Sequence, residues 1–174
     1  MKLEIIKVPN RLLKQKSVDI LIVDDEIKKL ADDMMETMYS AKGVGLAGVQ
    51  VGVLKNIIVI DVEQTKGGTE EEKVEMRKPL IFINPVIVWK SQETEKMEEG
   101  CLSIPFSRAE IQRHLKIKIN YQDLDGLKQE LDADGYLAHA LQHEIDHTKG
   151  ICFIDYLSKL KRDLIIDKVK KWDM

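Results

Sequence analysis

His143, Glu144 and His147 form a His-Glu-x-x-His run inside Leu141-Gln142-His143-Glu144-Ile145-Asp146-His147-Thr148-Lys149-Gly150. Such a run has meaning only on a helix. Residues four apart there share a face, so His143 and His147 can present two imidazole nitrogens to a single metal ion. Glu144 falls roughly 100° round from that pair, where a carboxylate reaches a water on the ion without being a ligand itself. The spacing predicts a helix from about Asp134 to His147. Leu137, Ala138, Leu141 and Ile145 make an aliphatic side, and Tyr136, His139, Ala140, His143 and His147 lie opposite. One side makes core, the other makes a site, and the rest of the chain has to pack around that division.

Tyr136, His139 and Ala140 precede His143 by seven, four and three residues, so they continue the ligand side and are expected to line any cavity beside the ion. His139 is the polar exception among them. It is expected either as a neutral imidazole at the cavity rim with a water partner or as a ring turned to solvent.

The 174 residues fit one domain, 1–174, long enough to bury a core without cross-links. The 27 basic and 30 acidic residues leave a net charge of −3 with the signs interspersed, which argues against nucleic acid or anionic lipid as a partner. No apolar run approaches the roughly 18 residues of a membrane span, and Met1-Lys2-Leu3-Glu4-Ile5-Ile6 lacks a signal-like apolar stretch. Cys101 and Cys152 are too few for a disulfide framework. A cytoplasmic protein with free thiols is expected.

Asp24-Asp25 offers an N-cap to a helix whose Ile27, Leu30, Ala31, Met34, Met38 and Ala41 recur at three and four residues, with Gly43 as its stop. Gly43 to Gly52 carries four glycines between that helix and a strand over 56–62, so it reads as backbone that turns sharply or approaches something closely. It is not a dinucleotide loop, which would follow a strand and open a helix. Residues 64–78 are polar and charge-dense and read as surface loop. Residues 79–89 read as two strand pieces broken at Pro85, and a further strand lies near 93–97. Residues 115–121 alternate with period two and face 127–131 across Asp125-Gly126, an antiparallel hairpin. Ile151-Cys152-Phe153-Ile154 is a short buried piece. Leu160, Leu164, Ile165, Val169 and Trp172 predict a C-terminal surface helix.

Two histidines do not complete a catalytic metal site, which takes three protein ligands and keeps one position open. A metzincin would continue His-x-x-Gly-x-x-His, and the chain matches to Gly150 but has Phe153 at the last position. A thermolysin-like site needs a later glutamate, and only aspartates follow Glu144. Cys101 is a thiol in a glycine-bordered loop, and one thiolate with two imidazoles suits Fe(II) or Zn(II). Cys152 competes for the role, from an aliphatic run that reads as core. A zinc endopeptidase, or a non-catalytic module with both cysteines ligating, are the alternatives.

Gly43-Val44-Gly45-Leu46-Ala47-Gly48-Val49-Gln50, Glu99-Gly100-Cys101-Leu102-Ser103 and Gln142-His143-Glu144-Ile145-Asp146-His147 resemble the three ordered motifs of the peptide deformylases, and the resemblance runs from Ile5 to the C-terminal helix. It implies an α+β fold with antiparallel sheets around the motif helix. It also implies one Fe(II) ion, replaceable by Zn, Ni or Co, on Cys101, His143 and His147. The implied reaction removes formyl from the N-terminal formyl-methionine of new polypeptides and releases formate. By the same resemblance Glu144 is general base and then acid, and the Gln50 amide and the Leu102 N–H receive the oxyanion. Val44, Gly45 and Gly100 border an extended peptide whose methionine lies against Tyr136, His139 and Ala140. Asp146 is expected to pair with Arg113, with Arg108 as the alternative. The implied partners are N-formylmethionyl nascent chains at the ribosome, met by a monomer. Three features depart from the family: Gly48 replaces a usual alanine, the 64–78 stretch is long, and His139 takes a usually apolar place.

Overall fold

A computed structural model describes residues 1–173 of the chain. Helix α1 (Asp25–Ser40) opens on Asp24, whose side chain accepts from Ile27 N at 3.0 Å. Its Ile27, Ala31, Met34 and Met38 are buried, as their periodicity predicts. The end of α1 differs from expectation. Lys42, not Gly43, takes the left-handed conformation (φ 58°), and the Gly43 N–H returns to Met38 O at 2.9 Å. A Cβ on Gly43 would press on Leu102 Cδ1 at 2.6 Å, so the missing side chain matters there for space.

Strand β1 (Gly45–Ala47) pairs antiparallel with β2 (Ile57–Ile60), Gly45 opposite Ile60, and a 3-10 turn at Gly48–Val51 follows β1. The glycine-rich stretch is therefore partly strand, held by its partner rather than by local propensity. Residues 64–78 are not plain loop either. They contain a 3-10 turn at Glu63–Lys66 and α2 (Glu70–Glu75), which opens on a capping box. Glu72 N donates to Thr69 Oγ1 and Thr69 N donates to Glu72 Oε2, both at 3.1 Å. Strand β3 (Leu80–Lys90) is one piece, and the break foreseen at Pro85 is a bulge between the Ile83–Gln122 and Val86–Asn120 pairs.

Strands β4 (Thr94–Cys101) and β5 (Ile104–His114) form a two-stranded ribbon. Strands β6 (Lys116–Gln122) and β7 (Lys128–Asp134) are the predicted hairpin. Gly126 turns it at φ 75°, and Asp123 Oδ1 accepts from the N–H groups of Asp125 and Leu127. The motif helix is α3 (Gly135–Thr148), and α4 (Lys159–Trp172) is C-terminal.

The larger sheet has the order β1-β2-β3-β6-β7 and is antiparallel throughout. Strand β2 decides how the motif helix is held. Side chains alternate along a strand, so Ile58 and Ile60 pack with Ala138, Leu141 and Ile145 of α3, while Ile57 and Val59 pack with Ala31, Met34 and Met38 of α1. All four β2 side chains are fully buried. Each contributes about 1.5–3 kcal/mol, which fixes α3 firmly on the sheet. The β4–β5 ribbon, with Ile104, Ile111, Phe153, Ile154 and Val169, closes the far side. This is the α+β architecture the resemblance implies, with antiparallel sheets around α3. Helix α4 buries less than its spacing suggests: Val169 is buried, whereas Leu160, Leu164 and Trp172 stand exposed.

Candidate active site

Helix α3 brings His143 Nε2 and His147 Nε2 to 3.2 Å. Cys101, at the end of β4, places Sγ 3.3 Å from His147 Nε2. One donor atom from each of the three residues lies within 4.8 Å of the others, the convergence a single ion needs. A thiol and two imidazoles also form a donor set that suits a borderline-soft divalent ion, so the residues fit the group. Cys152 does not compete, because its Sγ faces Nδ1 of His147 at 3.9 Å, behind the ring. Phe153, where a metzincin would have its third histidine, is buried with its ring centroid 6.3 Å from that of His143.

The His143 ring is oriented from behind. His143 Nδ1 meets Glu99 Oε1 at 2.7 Å, which leaves Nε2 for the ion. Burial, reinforced by His143 and Arg113, holds His147 well below the ordinary imidazole range, so its ring is neutral, the form that ligates. Glu99 is a hub: Arg113 donates to it through Nε at 2.5 Å and Nη2 at 3.0 Å, and His139 Nε2 contacts its other oxygen. Burial alone would raise the Glu99 carboxyl; His139, His143 and Arg113 outweigh it and hold the group ionised well below the usual range. Arg113 Nη1 also reaches Asp146 Oδ2 at 2.8 Å, the pair expected from the resemblance, and Tyr156 OH donates to the same oxygen at 2.7 Å.

Glu144 lies beside the ligands, buried, with its Oε2 lacking any hydrogen-bond partner. Its Oε1 is 3.9 Å from His143 Nε2. Burial pushes its carboxyl up to about 7. Gly45 makes room for it, since a Cβ there would sit 2.5 Å from Glu144 Oε1. Gln50 is held in one orientation: its Oε1 accepts from Ala47 N at 2.9 Å, and its Nε2 turns to Ser103 Oγ at 3.1 Å and Cys101 Sγ at 3.4 Å.

A cavity of about 540 Å³ opens onto Cys101, His143 and Glu144. Val44, Gly45, Gln50, Gly100, Leu102, Tyr136, His139 and Ala140 all line it, so every pocket and catalytic residue anticipated from sequence meets in one place. His139 differs in its surroundings. It is buried, not turned to solvent, and its Nε2 lies against the Glu99 carboxylate. Glu99 itself went unanticipated, although it stands two residues before Cys101 on a strand, the spacing that shares a face. Ser103, Phe106 and Tyr156 carried no signal beyond proximity to known motif residues.

Fold and centre together define a class, the metal-dependent hydrolases. The family model described as polypeptide deformylase matches residues 2–163. A peptide deformylase of Rhizobium meliloti is 48% identical over 167 residues, covering 96% of this chain and 91% of its own. One of Pelagibacter ubique is 50% identical over 163 residues, covering 94% and 90%. The crystal structure of peptide deformylase from Ehrlichia chaffeensis in complex with actinonin superposes with a TM-score of 0.90 at 46% identity, covering 98% of this chain and 96% of that one. The chain belongs to the polypeptide deformylase family, and its reaction is removal of the formyl group from the N-terminal formyl-methionine of newly made polypeptides, with release of formate.

Proposed function

We propose that Cys101, His143 and His147 hold one ion, Fe(II) in the working enzyme and replaceable by Zn, Ni or Co, and that Glu144 is the proton carrier of the reaction. The observation that carries this reading is the convergence of three donor atoms within 4.8 Å beside a buried, unpartnered Glu144 oxygen. When bound, the ion supplies Lewis acidity and lowers the pKa of a coordinated water. Glu144 Oε2 takes the proton of the attacking water and returns it to the leaving amine, general base and then general acid. The Gln50 Nε2 and the Leu102 N–H receive the charge that develops on the formyl oxygen. The Ala47 bond to Gln50 Oε1 favours this, because it fixes the amide with its donating end toward Cys101 and the cavity.

The peptide is proposed to lie along β1, the outer strand of the larger sheet, whose free edge is bordered by Val44 and Gly45 and faced by Gly100. Its methionine side chain enters between Tyr136, His139 and Ala140, and actinonin, with which the Ehrlichia protein forms a complex, is proposed to bind in the same cavity. The enzyme is proposed to act as a monomeric single domain on nascent chains at the ribosome in the cytoplasm, where its two free thiols persist. No helix of the described residues is long and apolar enough to cross a membrane.

Anaerobic assay of formate release from a formyl-Met peptide, with metal analysis of the same sample, tests the assignment. Cys101→Ser loses metal and activity together, and Cys152→Ser keeps both. The reverse result would move the third ligand to Cys152. His139→Ile keeps the metal, since Glu99 retains both Arg113 donors and His143. It lowers KM for formyl-Met peptides by roughly three- to tenfold at nearly constant kcat, because it adds uniform apolar contact. An unchanged KM for methionine and norleucine substrates would place His139 outside the pocket.

A further inference from the structure

His143 and His147 are held by different means. His143 Nδ1 meets Glu99, whereas the Nδ1 of His147, a completely buried residue, has one polar neighbour within hydrogen-bond reach among the described residues, Cys152 Sγ at 3.9 Å. The chain after α3 brings that sulfur into place. The backbone turns back at Gly150 (φ 79°), Ile151 N donates to Asp146 O at 2.9 Å, and Cys152 N donates to Asp155 Oδ2 at 2.9 Å, which fixes residue 152 behind the His147 ring. Everything else packed there is apolar, with Ile104, Ile111, Phe153 and Ile154 in the same cluster as Cys152. The thiol is the one polar exception.

The position of the ring proton makes this contact matter. His147 Nε2 points to the other two donor atoms, 3.2 Å from His143 Nε2 and 3.3 Å from Cys101 Sγ, so in a neutral ring that ligates through Nε2 the proton sits on Nδ1. A buried N–H without an acceptor is costly. We propose that Cys152 is a positioning residue of the metal centre: its sulfur accepts the Nδ1 proton of His147 and so fixes the tautomer and ring rotation in which Nε2 faces the other two donor atoms. The inference rests on the reading that Cys101, His143 and His147 hold the ion. It gives the two imidazoles unequal support, a carboxylate behind His143 and a thiol behind His147.

The test measures zinc affinity by chelator competition, and the unfolding temperature of the metal-free protein, for wild type, Cys152→Ser, Cys152→Ala and Cys152→Val. Serine keeps an acceptor, alanine of nearly the same size lacks one, and valine fills the space without one. Positioning predicts that Cys152→Ser binds zinc within about twofold of wild type, while Cys152→Ala and Cys152→Val bind roughly three- to tenfold more weakly, less than the loss of a carboxylate partner because sulfur is the weaker acceptor. Packing alone predicts the opposite order, valine best and serine worst, since a hydroxyl among aliphatic groups is costly and a methyl is not. That opposite order, equal affinities throughout, or affinities that merely follow the metal-free unfolding temperatures would each overturn the role of Cys152 alone. Wild-type affinity in Cys101→Ser would overturn the metal-holding set as well.

Discussion

Glu144→Gln retains its metal and loses roughly 10²–10⁴-fold in kcat, the span that removal of a general base produces. The substitution is isosteric, so Gly45 still accommodates it and the three metal-holding residues are untouched. What disappears is the capacity proposed for Glu144, to take a proton at Oε2 and give it back. The buried carboxyl, raised to about 7, makes a further consequence testable. A carboxyl with a folded-state pKa above its unfolded value destabilises the fold increasingly as pH rises from the unfolded value toward 7. Replacing it with a neutral amide removes that pH-dependent part, so the variant unfolds no earlier than the wild type at pH 7. Thermal unfolding, metal content and formate release on one preparation check all three statements. A variant that has lost its metal would make Glu144 a ligand and end the proposed division of roles.

Much of the scaffold could be read ahead of the coordinates. Helix α1, the β6–β7 hairpin and α3 announce themselves because their apolar periods are long and their ends carry chemical marks, Asp24 at one and Asp125-Gly126 at another. The two histidines of the candidate metal site were legible from residue type and spacing, whereas the choice of Cys101 over Cys152 leaned on the family resemblance. Strand β1 was not, since three residues inside a glycine-rich stretch become strand only when β2 pairs with them. Helix α2 hid in a polar stretch, although Thr69 and Glu72 spell a capping box three residues apart. Helix α4 misled in the other direction, because apolar spacing says which residues share a face and not whether a partner covers it. Glu99 and His139 were hardest. Charged and polar side chains are assigned to solvent by default, and their burial depends on partners from β5 and α3 that no local pattern joins.

That buried group is also where the fold and the site are most tightly linked, and Arg113→Met exposes the link. Arg113 and Glu99 are each 5% exposed at the side chain, and Asp146 is 14% exposed. Removing the guanidinium leaves one fully buried carboxylate and one nearly so without their cation. Breaking a buried pair from one side costs about 3–5 kcal/mol, or about 6–20 °C in Tm for a chain of this length. Asp146 keeps the Tyr156 hydroxyl, so most of the loss falls on Glu99. Glu99 in turn aligns His143, and a ligand without its orienting carboxylate binds metal roughly 10–100-fold more weakly. Stability and metal affinity should therefore fall together in this variant. A second variant separates them: Arg113→Met combined with Glu99→Gln and Asp146→Asn removes every charge of the group at once. Without a stranded ion it recovers a large part of the lost Tm, while its metal affinity stays low because glutamine cannot hold His143 as a carboxylate does. Denaturation curves and chelator competition on both variants measure the two effects independently. Recovery of metal affinity along with Tm would show that Arg113 and Glu99 serve the fold alone and that His143 is oriented by other means.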